Sequence, residues 1–329
     1  MSSVAQRVAE DQRIAESRRV VENKPAASSG TLVGKTSLLG DFSQLFKLRV
    51  TSLVVMTAWT GYFMGAVKAE VPALSMTLLH ALLGIGLTSA GAAALNEVME
   101  HEVDARMART KRRPLPAKRM RLSTGLAAGF LAVFAGSLYL AFATNLLTGL
   151  LALSTVAAYI GIYTPLKRIS PISTLVGAFP GAMPPLLGWT AVRGRLEVEG
   201  LVLFTIVFVW QFPHFQSIAW LYRDDYAAGG IKMLPVVDQA GRSVVRQMLA
   251  YSSVLIPVSL VPAGLHMSGK IYLGGALVLG MVFLWFNLRL ALTNLPTTDP
   301  ASKKFARQLL QASVTYLPLL FGLMMIDTR

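Results

Sequence analysis

Three side chains with oxygen donors recur at four-residue intervals at the start of the segment NEVMEHEVDARMARTKRRPLP, which covers residues 96–116. On a continuous helix, Asn96, Glu100 and Asp104 would share one face, because every fourth residue returns to nearly the same side. Amide and carboxylate oxygens are ligands that Mg²⁺ accepts, commonly together with phosphate oxygens of a substrate. The spacing therefore predicts a magnesium site.

A block of basic residues follows directly: Arg106, Arg109, Lys111, Arg112 and Arg113. Guanidinium groups match phosphate oxygens in a bidentate manner, and a lysine ammonium acts as a point charge. Each cation alone is explained by the enrichment of Lys and Arg in cytoplasmic loops. Carboxylates clustered at a membrane boundary are costly without partners, so the acids and cations together favour a metal–diphosphate site.

A second acidic cluster, YRDDYAAGG, covers residues 222–230 and follows a different apolar segment. Asp224 and Asp225 are predicted to face the same side of the membrane as Glu100 and Asp104. Two acidic clusters on equivalent loops can hold two metal ions across one cavity. A pair of aspartates in a loop is otherwise common, and the matched position is what favours the functional interpretation.

His214 lies inside an apolar segment, WQFPHFQSIAW, directly after Pro213. An ionisable residue at membrane depth is a candidate functional group. A neutral imidazole that is hydrogen bonded within a proline-kinked helix is the structural alternative, and the sequence leaves both open.

The elements that must position these residues are apolar. The chain has 329 residues, of which 53% are hydrophobic and 15% charged, whereas soluble domains carry about 25% charged residues. This composition predicts an all-α, polytopic membrane protein, and the absence of cysteine excludes thiolate chemistry. Nine segments have the roughly 20 residues that a membrane span needs. They are residues 50–67, 71–95, 122–142, 145–163, 172–192, 200–221, 247–265, 271–288 and 308–326.

The first 45 residues are polar and of mixed charge, which predicts a disordered cytoplasmic tail ahead of a membrane domain at 46–329. The tail has no apolar core of a signal peptide. Most of the 31 Lys and Arg residues fall in the tail and in alternate loops. This bias predicts a cytoplasmic N-terminus and an external C-terminus, and it explains the basic charge without a nucleic-acid partner. The other side carries Lys68, Arg193, Arg195, Lys270 and Arg329.

The motif N-x3-E-x3-D-x4-RTKRRPLP resembles the signature of intramembrane UbiA-type prenyltransferases. Three further stretches are similar to the branch of that family that farnesylates heme: YTPLKRISP (163–171), GAMPPLLGW (181–189) and PHFQSIAWLYRDDYAAGGIKMLPVV (213–237). The resemblance covers roughly residues 45–326. It implies about nine helices around a central cavity. The setting that we expect is a bacterial inner membrane rather than a mitochondrial one. The resemblance also implies transfer of farnesyl from farnesyl diphosphate to a vinyl group of heme b, with addition of water, to give heme o.

The resemblance also implies roles for individual residues and partners. Magnesium, as two ions that bridge the diphosphate, would be bound by Asn96, Glu100, Asp104, Asp224 and Asp225. The diphosphate would contact Arg109, Lys111, Arg113, Lys167 and Arg168. His214 is the candidate for the heme side, and a downstream heme A synthase is the expected recipient of heme o.

Two other functions fit parts of the pattern. A relative that prenylates an aromatic quinone precursor would have the same metal site and a different acceptor pocket. An ion-coupled transporter would use intramembrane acids, but such sites lie near the midplane on broken helices. Here the acids cluster at one boundary beside cations, which favours the enzyme.

Overall fold

The structure is a computed structural model, and it describes residues 37–328 of the chain. This part of the chain is helical apart from turns, loops and an isolated β-bridge between Ser268 and Thr328. It contains nine helices that are long and apolar enough to cross a membrane. The prediction of an all-α, polytopic fold is confirmed.

The described helices, in chain order, are as follows. They are α1 (Leu38–Leu45), α2 (Leu48–Lys68), α3 (Met76–Asp104), α4 (Leu122–Ala143), α5 (Leu146–Leu166), α6 (Ser173–Arg193), α7 (Val198–Leu221), α8 (Arg223–Ala228), α9 (Leu234–Val237), α10 (Arg242–Gly264), α11 (Lys270–Leu292) and α12 (Ser302–Ile326).

Helix α3 differs most from the predicted segment, which was placed at residues 71–95. It begins only at Met76, because Ser75 caps it by accepting a hydrogen bond from the Leu78 amide (3.2 Å). At its other end it continues to Asp104. The acidic motif is therefore helical, as the interpretation of its four-residue spacing required.

The chain before α2 is only partly described. Of the predicted tail, residues 1–36 lie outside the described residues, and its final part forms α1. Within this helix Asp41 is buried and accepts two hydrogen bonds from the Arg119 guanidinium, at 3.0 and 2.8 Å. Leu45 is fully buried beside Ala94. These contacts hold α1 against the helices that follow.

Small residues allow α2 and α6 to approach closely. A Cβ atom at Gly188 would overlap the Ala58 carbonyl oxygen, and one at Gly61 would overlap the Pro185 carbonyl. Membrane helices associate through such close backbone packing, because apolar burial between them is not favoured over contact with lipid. Gly188 of the GAMPPLLGW stretch and Gly61 of α2 are thus needed for the packing of this pair.

The loops at one end of the helices contact one another. The Lys232 amide, which follows α8, donates to the carbonyl of Lys167, which follows α5, at 2.8 Å. Asp225 of α8 accepts hydrogen bonds from the backbone after α3. The loops that the sequence assigns to one side of the membrane thus meet around the end of α3.

Candidate active site

A cavity of about 160 Å³ lies where α3 ends and the loops after α5 and α7 meet. Pockets that enclose a whole drug-sized ligand measure roughly 300–1,000 Å³, so this cavity matches the polar head of a substrate. Its walls are formed by Lys47, Asn96, Glu100, Asp104, Met107, Arg109, Thr110, Arg113, Tyr159, Tyr163, Lys167, Tyr226, Ile231 and Met233.

The oxygen donors of α3 lie together in the wall of this cavity. Asn96, Glu100 and Asp104 are all buried, and the helix is continuous from the first to the last of them. A buried carboxylate is stable only with a charged or hydrogen-bonding partner. The structure therefore brings together the three oxygen donors that the spacing predicts. It also places one cationic side chain beside each of them.

Each donor is hydrogen bonded to one cation from another part of the chain. Lys47 Nζ donates to Asn96 Oδ1 (2.8 Å), Lys167 Nζ to Glu100 Oε1 (2.8 Å), and Arg113 Nη1 to Asp104 Oδ2 (2.7 Å). The cavity wall thus alternates oxygen donors with cations, which is the composition that a metal–diphosphate complex requires.

Lys47 is a cavity residue that the sequence did not reveal. It lies between α1 and α2 in a left-handed conformation (φ 46°, ψ 49°), which is uncommon for a residue with a side chain. Burial, together with the nearby Arg113 charge, lowers the pKa of its amine to about 8. An isolated lysine at the end of a polar tail carries no sequence signal that would place it here.

A widened helical turn carries the cavity residues of α5. Residues Tyr159–Tyr163 are π-helical, a form that often occurs at functional sites. Lys167 Nζ lies 4.5 Å from the centre of the Tyr163 ring, and the two tyrosine rings are 5.3 Å apart. Burial alone would lower the pKa of Lys167, but the Tyr163 and Glu100 side chains outweigh it and raise that pKa. The amine is therefore a permanent cation.

The predicted diphosphate contacts divide into two groups. Arg109, Arg113 and Lys167 line the cavity, whereas Lys111 and Arg168 are exposed and do not. The Arg109 guanidinium lies over two tyrosine rings at the end of α7 and in α8. Its central carbon is 4.9 Å from the centre of the Tyr222 ring and 5.7 Å from that of Tyr226.

The second acidic pair does not line the cavity in this structure. The Asp225 carboxylate accepts hydrogen bonds from the amides of Ala108 (3.0 Å) and Arg109 (3.3 Å). The Asp224 side chain is 69% exposed and pairs with Arg223 and Lys303, each at 3.0 Å. The Lys303 hydrogen bond lowers the pKa of Asp224. The two predicted acidic clusters are therefore near each other, but only the first faces the cavity.

His214 lies in α7 and does not line this cavity. Its Nδ1 atom is 2.8 Å from Ser313 Oγ in α12, and its ring stacks on Trp210 with ring centres 4.5 Å apart. Ser313 Oγ is also 2.7 Å from the Leu310 carbonyl oxygen, to which it donates its only proton. With that proton engaged, Ser313 Oγ can accept a hydrogen bond from His214 Nδ1, and in that tautomer Nε2 is the unprotonated nitrogen.

The donor set of the cavity fits magnesium that is shared with a substrate. Among residues 37–328, no group of three or more His, Cys, Asp or Glu side chains could hold a metal ion. Magnesium usually has one or two protein carboxylates, several waters and substrate phosphates as ligands. One amide and two carboxylates therefore provide the protein's share of such a site.

Within residues 37–328, the nine apolar helices and the cation-rich polar cavity define a multi-pass membrane protein. The chain belongs to the UbiA prenyltransferase family, whose sequence pattern matches residues 54–310. It is 57% identical to a protoheme IX farnesyltransferase from Koribacter versatilis over 89% of this chain and 95% of the relative. It is 47% identical to one from Solibacter usitatus, over 87% and 98% of the two chains.

Solved structures support the fold. A digeranylgeranylglyceryl phosphate synthase superposes with a TM-score of 0.71 at 14% sequence identity, covering 88% of this chain and 98% of its own. A UbiA homologue from Archaeoglobus fulgidus, bound to DMAPP and Mg²⁺, gives a TM-score of 0.59 at 13% identity. That comparison covers 86% of this chain and 99% of the homologue. At these identities the likeness concerns the helical architecture alone.

Proposed function

We propose that this chain transfers the farnesyl group of farnesyl diphosphate to a vinyl group of heme b, with addition of water, and so forms heme o. The observation that carries the proposal is the cavity in which three oxygen donors of α3 alternate with cations. The choice of heme b as acceptor follows the names of relatives that align with nearly the whole membrane part of the chain.

The site for the metal is assigned to Asn96, Glu100 and Asp104. Bound there with the diphosphate, magnesium would neutralise the charge that develops on the leaving group. The relative from A. fulgidus that was solved with DMAPP and Mg²⁺ supports this choice of ion. A second ion, which the sequence predicts, would require Asp224 and Asp225 to turn away from their present partners and into the cavity.

The cations of the cavity would bind the diphosphate oxygens. Lys47, Arg113 and Lys167 now pair with the metal donors, and Arg109 lies at the cavity mouth. When the C1–O bond of farnesyl diphosphate breaks, negative charge moves onto the leaving oxygen. Fixed cations in a cavity that excludes water stabilise this charge without having to reorganise. Lys111 and Arg168, being exposed, would contact the diphosphate only at the rim.

The resulting allylic cation would be attacked by the vinyl group of heme b, and water would then add to the new cation next to the porphyrin. We assign His214 to the heme side, because its Nε2 atom is unprotonated in the hydrogen-bond pattern with Ser313. A neutral histidine typically binds iron through its unprotonated ring nitrogen while its other ring nitrogen donates a hydrogen bond.

The setting that we propose is a bacterial inner membrane, with the cavity on the cytoplasmic side and the C-terminus outside. The bias of Lys and Arg toward alternate loops supports this orientation. The product would pass to a heme A synthase in the same membrane.

A product assay tests the function. Membranes that contain the chain are incubated with Mg²⁺, farnesyl diphosphate and either heme b or 4-hydroxybenzoate, and the products are identified by mass. We expect hydroxyethylfarnesyl heme and no prenylated benzoate. Prenylated benzoate without farnesylated heme would assign the chain to the quinone-precursor enzymes of the same family.

A further inference from the structure

Ser313 of α12 contacts two ring side chains of α7, Trp210 and His214. Its hydroxyl oxygen lies 2.8 Å from His214 Nδ1, and its backbone carbonyl accepts a hydrogen bond from the Trp210 indole nitrogen at 2.9 Å. The two rings stack on each other, with their centres 4.5 Å apart and their planes at 20°. Ser313 itself is fully buried. One residue of α12 thus holds both rings of α7.

The hydroxyl of Ser313 makes two short contacts, and together they indicate which nitrogen of His214 carries the proton. Its oxygen is 2.7 Å from the Leu310 carbonyl oxygen, which is a typical distance for an O–H···O hydrogen bond. A hydroxyl has one proton and a carbonyl has none. Both contacts are therefore hydrogen bonds only when His214 Nδ1 supplies the second proton. In this tautomer the other ring nitrogen, Nε2, is unprotonated.

The Nε2 atom is free to bind a ligand. The structure gives it no hydrogen-bond partner within residues 37–328, and the histidine is half-buried rather than enclosed. A histidine that binds a metal through one nitrogen usually donates a hydrogen bond from the other, and this bond fixes the tautomer and the orientation of the ring. Ser313 is located where such an orienting partner is expected.

The backbone of α7 does not fix the histidine ring by itself, because Pro213 directly precedes it. Proline has no amide proton, so the helical hydrogen bond to the Val209 carbonyl is missing, and helices bend at such positions. The Ser217 hydroxyl donates to the His214 carbonyl at 2.8 Å, which supports the backbone but leaves the ring free to rotate. The orientation of the ring therefore depends on its stacking partner and on Ser313.

We propose that Ser313 is a positioning residue for the heme side of the site. It holds His214 with Nδ1 protonated, so that Nε2 is available to the iron of heme b. The part that concerns heme rests on the proposed function, whereas the hydrogen bond between the two helices needs no substrate. The two residues are 99 positions apart, so the sequence gives no signal of this pairing.

Nitrogen-15 NMR of histidine-labelled protein in lipid tests the hydrogen bond without heme. Ring nitrogens with and without a proton give separate signals, and comparison with H214A identifies those of His214. We expect protonated Nδ1 and unprotonated Nε2 in wild type, and a mixture of both tautomers in S313A. S313T keeps the hydroxyl and should restore the wild-type signals. Protonated Nε2 in wild type, or identical spectra of wild type and S313A, would overturn the positioning role.

Heme binding tests the consequence for the site. Purified protein is titrated with heme b, and the shift of the Soret band is followed. Loss of the residue that orients a metal-binding histidine typically weakens metal affinity by about 10–100-fold, and we expect a loss of this size in S313A. Binding of Mn²⁺ with pyrophosphate, measured on the same sample, should be unchanged, which separates a local effect from general unfolding.

T315A is the matched control. Thr315 is exposed on the same helix, and its hydroxyl makes a similar bond within the helix, to the Gln311 carbonyl at 3.0 Å. Heme affinity in T315A should equal that of wild type. Wild-type heme affinity in S313A, or an equal loss in T315A, would overturn the inference. Absence of a Soret shift in wild type would instead contradict the heme side of the proposed function, and the NMR experiment would still decide the role of Ser313 in holding His214.

Discussion

Replacing Lys167 with methionine should destabilise the protein through the carboxylate that it leaves behind. Lys167 Nζ lies 2.8 Å from Glu100 Oε1, and the two side chains are only 13% and 11% exposed. Removing one partner of a buried ion pair costs about 3–5 kcal/mol, mostly because the other charge remains buried. Since both groups retain slight exposure, we expect a loss at the lower end, about 3 kcal/mol.

The double variant E100Q/K167M separates this effect from catalysis. With both charges removed, no buried charge remains unpaired, and we expect the double variant to recover about 2 kcal/mol relative to the sum of the single changes. Its prenyl transfer should stay low, because it lacks both the proposed metal donor Glu100 and the proposed diphosphate contact Lys167. Loss of one such electrostatic contact typically costs about 10²–10³ in kcat.

The assay is a double-mutant cycle in mixed micelles, with unfolding of wild type and the three variants followed by SDS titration. R168M serves as the control, because Arg168 is the exposed next residue and its replacement should change the free energy of unfolding by no more than about 0.5 kcal/mol. If the effects of E100Q and K167M add within about 0.5 kcal/mol, the reasoning about the pair is refuted.

Three other changes test separate parts of the account. K47M should lower kcat/KM for farnesyl diphosphate by about 10²-fold, because it removes a cation from the cavity wall. Steady-state kinetics would measure this loss, and the yield of folded protein should be unchanged. G188A should destabilise the fold by about 3 kcal/mol, because the new Cβ atom overlaps the Ala58 carbonyl, and size-exclusion chromatography should show a lower folded yield. G274A is the control, because there is open space around Gly274, and its folded yield should match wild type. H214A should abolish the shift of the Soret band that accompanies heme binding, while binding of Mn²⁺ with pyrophosphate stays intact. A normal Soret shift in H214A would show that His214 is not on the heme side.

Much of the fold could be predicted, because a bilayer imposes a length and a composition on every segment that crosses it. All nine predicted segments begin within six residues of the observed helices, and the second observed helix begins five residues later than predicted because Ser75 caps it. The face that carries Asn96, Glu100 and Asp104 was also predictable, since helical geometry converts their spacing directly into proximity.

The rest of the site depends on contacts that spacing does not encode. Lys47 reaches Asn96 because its own backbone is left-handed and forms the junction between α1 and α2. Tyr163 approaches Lys167 through a π-helical turn, although the four-residue spacing of Tyr159, Tyr163 and Lys167 is a signal that could have been used. Adjacent aspartates, by contrast, point in different directions on a short helix, and only the packing between loops decides which partner each one meets.

The central claim is that the donors of α3 bind the metal through which farnesyl diphosphate reacts. Its most direct test is release of diphosphate from farnesyl diphosphate by the purified chain when heme b is added, measured together with heme o by mass. We predict equal amounts of both products, loss of both in EDTA, recovery with Mg²⁺ in wild type, and no recovery in D104N. Formation of heme o at the wild-type rate by D104N, or in the continued presence of EDTA, would contradict the account.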